Sequence, residues 1–152
     1  MSNRGITMRA AHYDDVLGIV TTIERARHVM TRELPEAEYP YAMQYTLDLI
    51  AQGLCWVAVV SNDIVGVAML DQRIWPWNRK ETFLENVHFW VEPIHRSGGT
   101  AALLLSSMKA RAKDLNQPLR VVLSFPDGNE KVKDRWARLQ GLEYTGGAFW
   151  CK

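Results

Sequence analysis

The chain has 152 residues, 47% of them hydrophobic and 23% charged, which suits one packed domain over 1–152, and a second domain is not expected. Eighteen basic against seventeen acidic side chains leave a net charge of +1, which argues against a nucleic-acid partner or an anionic membrane held through a global field. Cys55 and Cys151 are too few for a disulfide framework, no run of ~18 apolar residues is present to cross a bilayer, and the first 15 residues lack a signal-peptide core, so a cytoplasmic location is expected.

Ile6 to Ala11 reads as a strand, and Val16, Ile19, Val20, Ile23 and Ala26 fall at helical spacing behind it. Arg27 to Pro40, charged and carrying Pro35 and Pro40, reads as a long, partly irregular connection. Met43, Leu47 and Ile50 mark a second helix that ends at Gly53. Leu54 to Val60 and Ile64 to Leu70 form a hairpin about the turn residues Ser61-Asn62-Asp63. The proline and mixed polarity of Trp75 to Lys80 suggest a loop, and Phe83 to Val91 is a strand closed by Pro93. Gly98-Gly99 then opens a helix with an apolar stripe from Ala101 through Leu104, Leu105, Met108 and Ala112 to Leu115. Leu119 to Phe125 reads as a buried strand and Pro126 to Asn129 as a turn into a helix with Val132, Trp136 and Leu139 on one face. Gly141 ends that helix before a last strand near Gly146-Gly147. The order predicts an α/β domain, a mixed sheet covered by helices with a right-handed parallel crossover from Val91 to Leu119.

Chemistry concentrates in ENVHFWVEPIHRSGGTAALLL, Glu85 to Leu105, where a strand ends in a basic, glycine-rich turn and a helix begins at once. Unpaired N–H groups then converge at the positive end of a helix dipole, and glycine lets an anion reach the backbone. A phosphate or pyrophosphate is the natural guest, with Arg96 placed to add charge. Neither a GxxxxGK(S/T) loop nor a GxGxxG fingerprint is present.

Arg96-Ser97-Gly98-Gly99-Thr100-Ala101, led in by Val91-x-Pro93, resembles the Q/R-x-x-G-x-G/A signature of the GNAT family of N-acetyltransferases, and the order of elements across nearly the whole chain resembles it too. The string HFWVEPIHR is also similar to that of phage- or prophage-encoded relatives. The resemblance implies a mostly antiparallel sheet of six to seven strands and acetyl-CoA as cosubstrate. The backbone of Phe89, Trp90 and Val91 would pair with its pantetheine arm, amides from Arg96 to Ala101 would hold its pyrophosphate, and Asn129 would reach its thiol end. It implies transfer to a primary amine by direct attack in a ternary complex, with Glu85 as base by its spacing from Val91. The tyrosine that many members use as acid, four residues before the helix-ending glycine, is Ala137 here. Trp136 cannot replace it and Tyr144 lies past Gly141.

Plainer readings of the same residues stand beside these. Gly-Gly before a helix also makes a simple turn, and Glu85 could pair with Arg79 or Lys80. His88 alternates with Glu85 and so points to the opposite face of a regular strand, in a hydrogen-bonded core role. His12, His28, His88 and His95 lack zinc spacing, so no metal is expected. A coenzyme A-binding module without transfer activity, or a nucleic-acid or protein adaptor using Trp75 to Lys80, are the alternatives in function. The acceptor and the oligomeric state, a homodimer included, are left open.

Overall fold

The computed structural model describes residues 5–29, 35–123 and 130–144. Strand β1 (Ile6–Ala10) is followed by helices α1 (Val16–Val29) and α2 (Tyr39–Ala51). Strands β2 (Cys55–Val60), β3 (Asp63–Trp75) and β4 (Asn78–Val91) come next, and then α3 (Thr100–Asp114), β5 (Leu119–Arg120) and α4 (Glu130–Leu139). The described strands form a five-stranded sheet in chain order, antiparallel except for the last pair, β4 and β5. This mixed sheet with its parallel crossover is the expected architecture. The described residues hold five strands rather than six to seven, and the segment around Gly146-Gly147 lies outside them.

The central strands are apolar on both sides because helices cover both. Leu104 of α3 lies against Gly66 on one face, where an added Cβ would come 3.2 Å from Leu104 Cδ1. On the other face α1 packs so closely at Gly18 that a Cβ would come 2.9 Å from Ile64 Cδ1. Ile19, Leu49, Val57, Val67, Met69, Leu70, Leu84, Leu104, Leu105 and Met108 fill the core between these layers. The β2–β3 turn places Ser61 and Asn62 at φ 48° and 74°, the left-handed pair that matches the twist of a two-residue hairpin.

Three elements differ from the sequence expectation. Trp75 to Lys80 is not a loop: Trp75 pairs with Asn78 across a Pro76-Trp77 turn, so β3 and β4 continue as one long hairpin. The extension is exposed on both sides, so its side chains carry no alternating pattern, and Trp75 stabilises it by packing 4.4 Å from Phe83 and 5.1 Å from Trp77. Of the strand expected over Leu119 to Phe125, residues 124 and 125 lie outside the described residues, and among the others only Leu119 and Arg120 pair with β4. Pro40 lies in the first turn of α2, where a missing N–H costs nothing, and α1 runs on to Val29, so the irregular connection is shorter than expected.

At the sheet edge Arg9 grips Asp15 with two bonds of 2.6 and 2.9 Å, and the His12 amide donates to the same carboxylate at 2.7 Å. The Arg9 hydrogen bond holds the Asp15 carboxyl below its ordinary range. The folded chain therefore keeps Asp15 ionised to lower pH than the unfolded chain. The stabilisation is full above the unfolded value of ~3.9 and is lost as pH falls through the folded one. Asp15→Asn is expected to cost about 1–3 kcal/mol at pH 7, read by urea denaturation, with the gap to the native protein closing in strong acid.

Candidate functional site

The β4–α3 junction is built from local backbone geometry. Glu92 donates its amide to the Val65 carbonyl, Pro93–Gly98 winds as a 3-10 turn, and Gly99 adopts φ 79° as the residue before α3. The first intrahelical bond runs from Leu103 N–H to the Gly99 carbonyl at 3.0 Å, so the amides of Thr100, Ala101 and Ala102 start the helix with no acceptor one turn back. Gly99 is exposed, and a Cβ there would meet nothing within 4 Å. Thr100 is buried, and its Oγ1 has no hydrogen-bond partner among the described residues. Ser97 is exposed, and Gly98 and Ala101 are half-buried. Arg96 donates from Nε to the Val91 carbonyl at 2.8 Å and lies 4.5 Å over the Trp90 ring, which fastens the turn to the strand.

Beside this junction the sheet opens. β4 and β5 pair at Leu84–Leu119 and Glu85–Arg120 and no further. The Asn86 side chain then takes the place of the ladder: its amide donates to the Val122 carbonyl at 2.9 Å and accepts from the Val122 N–H at 2.6 Å. From His88 to Val91, β4 pairs with β3 alone, so its other edge has no described strand beside it. Phe89, Trp90 and Val91 lie on this one-sided stretch.

β4 also carries a bulge. Met69 faces His88 and Leu70 faces Asn86, which leaves Val87 as an extra residue. Glu85 and His88 therefore share a face, contrary to the alternation expected of a regular strand. Glu85 opposes Asp71 and His88 opposes Met69, both on the face under α1 and α2. Asp71 accepts a 2.8 Å bond from the Tyr45 hydroxyl and lies 3.3 Å from Arg73. The Glu85 carboxylate is 3.3 Å from Arg120 and 3.7 Å from Arg73, rather than paired with Arg79 or Lys80. Burial, reinforced by Asp71, raises the Tyr45 phenol well above its ordinary range. Burial also pushes His88 down to about 4, and its Nε2 has no hydrogen-bond partner among the described residues, so the expected bonded core role is not what the imidazole finds.

On this face a cleft of about 360 Å³ runs between residues 36–38, α2 and β3–β4. Met69, Val87 and His88 form its floor, Tyr41 and Tyr45 one wall, and Glu36 and Glu38 its rim. The two tyrosine rings stack 6.4 Å apart at 6°. Sequence reasoning missed this wall, although tyrosines four apart on a helix share a face and the spacing was visible. A depression of about 350 Å³ lies at the far end of α3, but there Arg111 Nη2 caps the Gln52 carbonyl at 2.8 Å, a structural task away from β4.

Asn129 and Cys151 lie outside the described residues. Cys55 is buried, and desolvation pushes its thiol up to about 12, so it is a poor nucleophile. Among the described residues no three His, Cys, Asp or Glu side chains gather as a metal site, and no helix is long and apolar enough to cross a membrane. Ala137 lies within α4, and Trp136 of that helix packs 6.3 Å from Phe89.

The profile of the acetyltransferase (GNAT) family matches residues 23–142. A comparison with curated protein sequences finds no match. Among solved structures, a predicted acetyltransferase from Clostridium acetobutylicum, determined with acetyl-CoA, superposes with a TM-score of 0.74 at 20% identity, over 97% of this chain and 96% of that one. A ribosomal-protein-alanine N-acetyltransferase from Brucella melitensis gives 0.65 at 17% identity, over 98% and 95%. An aminoglycoside 6'-N-acetyltransferase from Acinetobacter haemolyticus gives 0.66 at 14%, over 96% and 97%. At these identities the likeness establishes the fold.

Proposed function

Because the chain belongs to the GNAT acetyltransferase family, we propose that it moves the acetyl group of acetyl-CoA to a primary amine by direct attack in a ternary complex. One observation carries the reading: a left-handed, exposed Gly99 leads directly into helix-start amides with no acceptor one turn back, next to a buried Thr100 hydroxyl that lacks a partner among the described residues. A diphosphate supplies acceptors for those donors and complements the helix dipole. The amides from Arg96 to Ala101 would hold it, and the one-sided backbone of Phe89, Trp90 and Val91 would pair with an extended pantetheine arm as a further strand would. Asn129 is assigned to the thiol end on the family pattern alone.

The amine would approach from the cleft on the α1–α2 face, where Glu85 and His88 stand. An amine of lysine type, with a pKa of ~10.4, must lose a proton before its lone pair can attack the thioester carbonyl. We assign that proton to Glu85 through water, since Glu85 shares the face of the cleft without lining it. As the C–N bond forms and the C–S bond breaks, the electron pair goes to sulfur and the nitrogen gives up its second proton to solvent, which leaves a neutral amide. A thiolate with a pKa of ~8.5 can take its proton from solvent, so Ala137 in place of an acid is no barrier to turnover.

Calorimetric titration with acetyl-CoA tests the reading, followed by thiol release over a panel of amines. Saturable binding and acceptor-dependent thiol release are expected; no heat of binding would overturn it. Glu85→Gln is expected to lower kcat roughly tenfold, below the usual ~10²-fold for a base in direct contact, with acetyl-CoA affinity kept. An unchanged pH–rate profile would remove Glu85 from the reaction.

A further inference from the structure

The acidic side chains around the cleft divide into two groups. Asp71 is engaged by Tyr45 and Arg73, Glu85 by Arg73 and Arg120, and Glu24 by Arg27 and the Ala37 amide at 2.7 Å. Glu36 and Glu38, both exposed on the rim, have no ion-pair partner among the described residues. A carboxylate at the start of α2 favours the helix dipole, which accounts for Glu38 but not for Glu36 outside the helix. No lysine or arginine stands among the described residues that line the cleft. Its imidazole, His88, is uncharged at neutral pH because burial holds it near 4. Beside the acids, the Tyr41 ring is 69% exposed and stacked on Tyr45, so it offers a π face to whatever enters. The His88 Nε2, buried in the floor without a partner among the described residues, is an independent sign that a polar ligand belongs here.

Resting on the acetyltransferase reading above, we infer that the cleft takes a small acceptor bearing at least two positive charges. One is the amine that reacts near His88, and the other is a cation held against Tyr41 by Glu36 and Glu38. A singly charged or neutral-bodied amine would leave both carboxylates unused. A dication replaces their water with charge-assisted contacts and adds a cation–π contact. The volume of about 360 Å³ suits an aliphatic di- or triamine better than a bulky polycation.

The test is the affinity of the coenzyme A-loaded protein for propylamine, 1,3-diaminopropane, 1,4-diaminobutane and spermidine, measured by calorimetry at low and high salt. Diamines and spermidine are expected to bind about tenfold more tightly than propylamine, with the advantage shrinking as salt screens the rim. In the Glu36→Gln/Glu38→Gln protein, whose changes are on the surface, the ratio of dication to monocation affinity should fall close to one, and Tyr41→Ala should lower it in part. Equal affinities for mono- and dications, or a preference that survives the double substitution, would overturn the inference. Acetyl-CoA titration is read separately: its failure defeats the acetyltransferase reading, whereas amine selectivity bears on the rim.

Discussion

Gly99→Val is expected to raise the Kd for acetyl-CoA roughly 100-fold while the protein stays folded. Two costs combine. At φ 79° a β-branched residue pays ~1–2 kcal/mol of backbone strain, and the chain relieves it by rotating the junction and turning the Thr100 to Ala102 amides away from their common focus. The valine methyls also enter the space that is open before Gly99, where a phosphate oxygen would need to approach. Loss of two charge-assisted hydrogen bonds at ~1.5–3 kcal/mol each reaches that fold-change with room to spare. Calorimetry gives the Kd and a thermal melt gives the control, with a Tm drop of a few degrees. A Kd within threefold of the native value would mean that the junction does not hold the diphosphate.

Leu104→Ala is expected to cost about 3 kcal/mol, within the ~2–5 kcal/mol that fully buried leucines show, and to lower Tm by roughly 10 °C. Leu104 is fully buried and is the side chain that seats α3 on Gly66, so its loss leaves a void directly behind the start of α3. For a domain with ~5–15 kcal/mol in total, that is a large share. Acetyl-CoA at about 100 times its Kd should restore ~2.7 kcal/mol in the melt, because it binds the folded form alone. An unshifted Tm would show that α3 is held by other contacts.

These two residues also mark what was legible in the sequence. Leu104 belongs to a stripe of helical period, and Gly99 stands where a strand pattern gives way to that stripe. Both signals are local, so the crossover and the junction could be read directly. The Val87 bulge leaves no such trace, because one extra residue in a run of apolar and aromatic side chains alters no period that composition reveals. His88 was therefore assigned to the wrong face. The long β3–β4 hairpin was missed for a related reason: beyond the helices neither face is buried, and the usual strand alternation has nothing to enforce it. Glu36 and Glu38 look like any solvated acids until the structure sets them beside Tyr41 on the rim of a cleft that no described lysine or arginine lines. The mostly apolar run from Leu119 to Leu123 fits a longer ladder than it makes, because the Asn86 side chain takes the place of the backbone after two pairs.

The extra residue in β4 acts as a phase shifter. Upstream of it, odd-numbered side chains look toward α2; downstream, even-numbered ones do. A strand that kept strict time would have to choose between presenting Glu85 and presenting His88 to the same wall. With the beat broken at Val87 it presents both: forcing Val87 into the ladder would turn a half-strand inside out, whereas deleting it would leave Glu85 and His88 on one face of a regular strand.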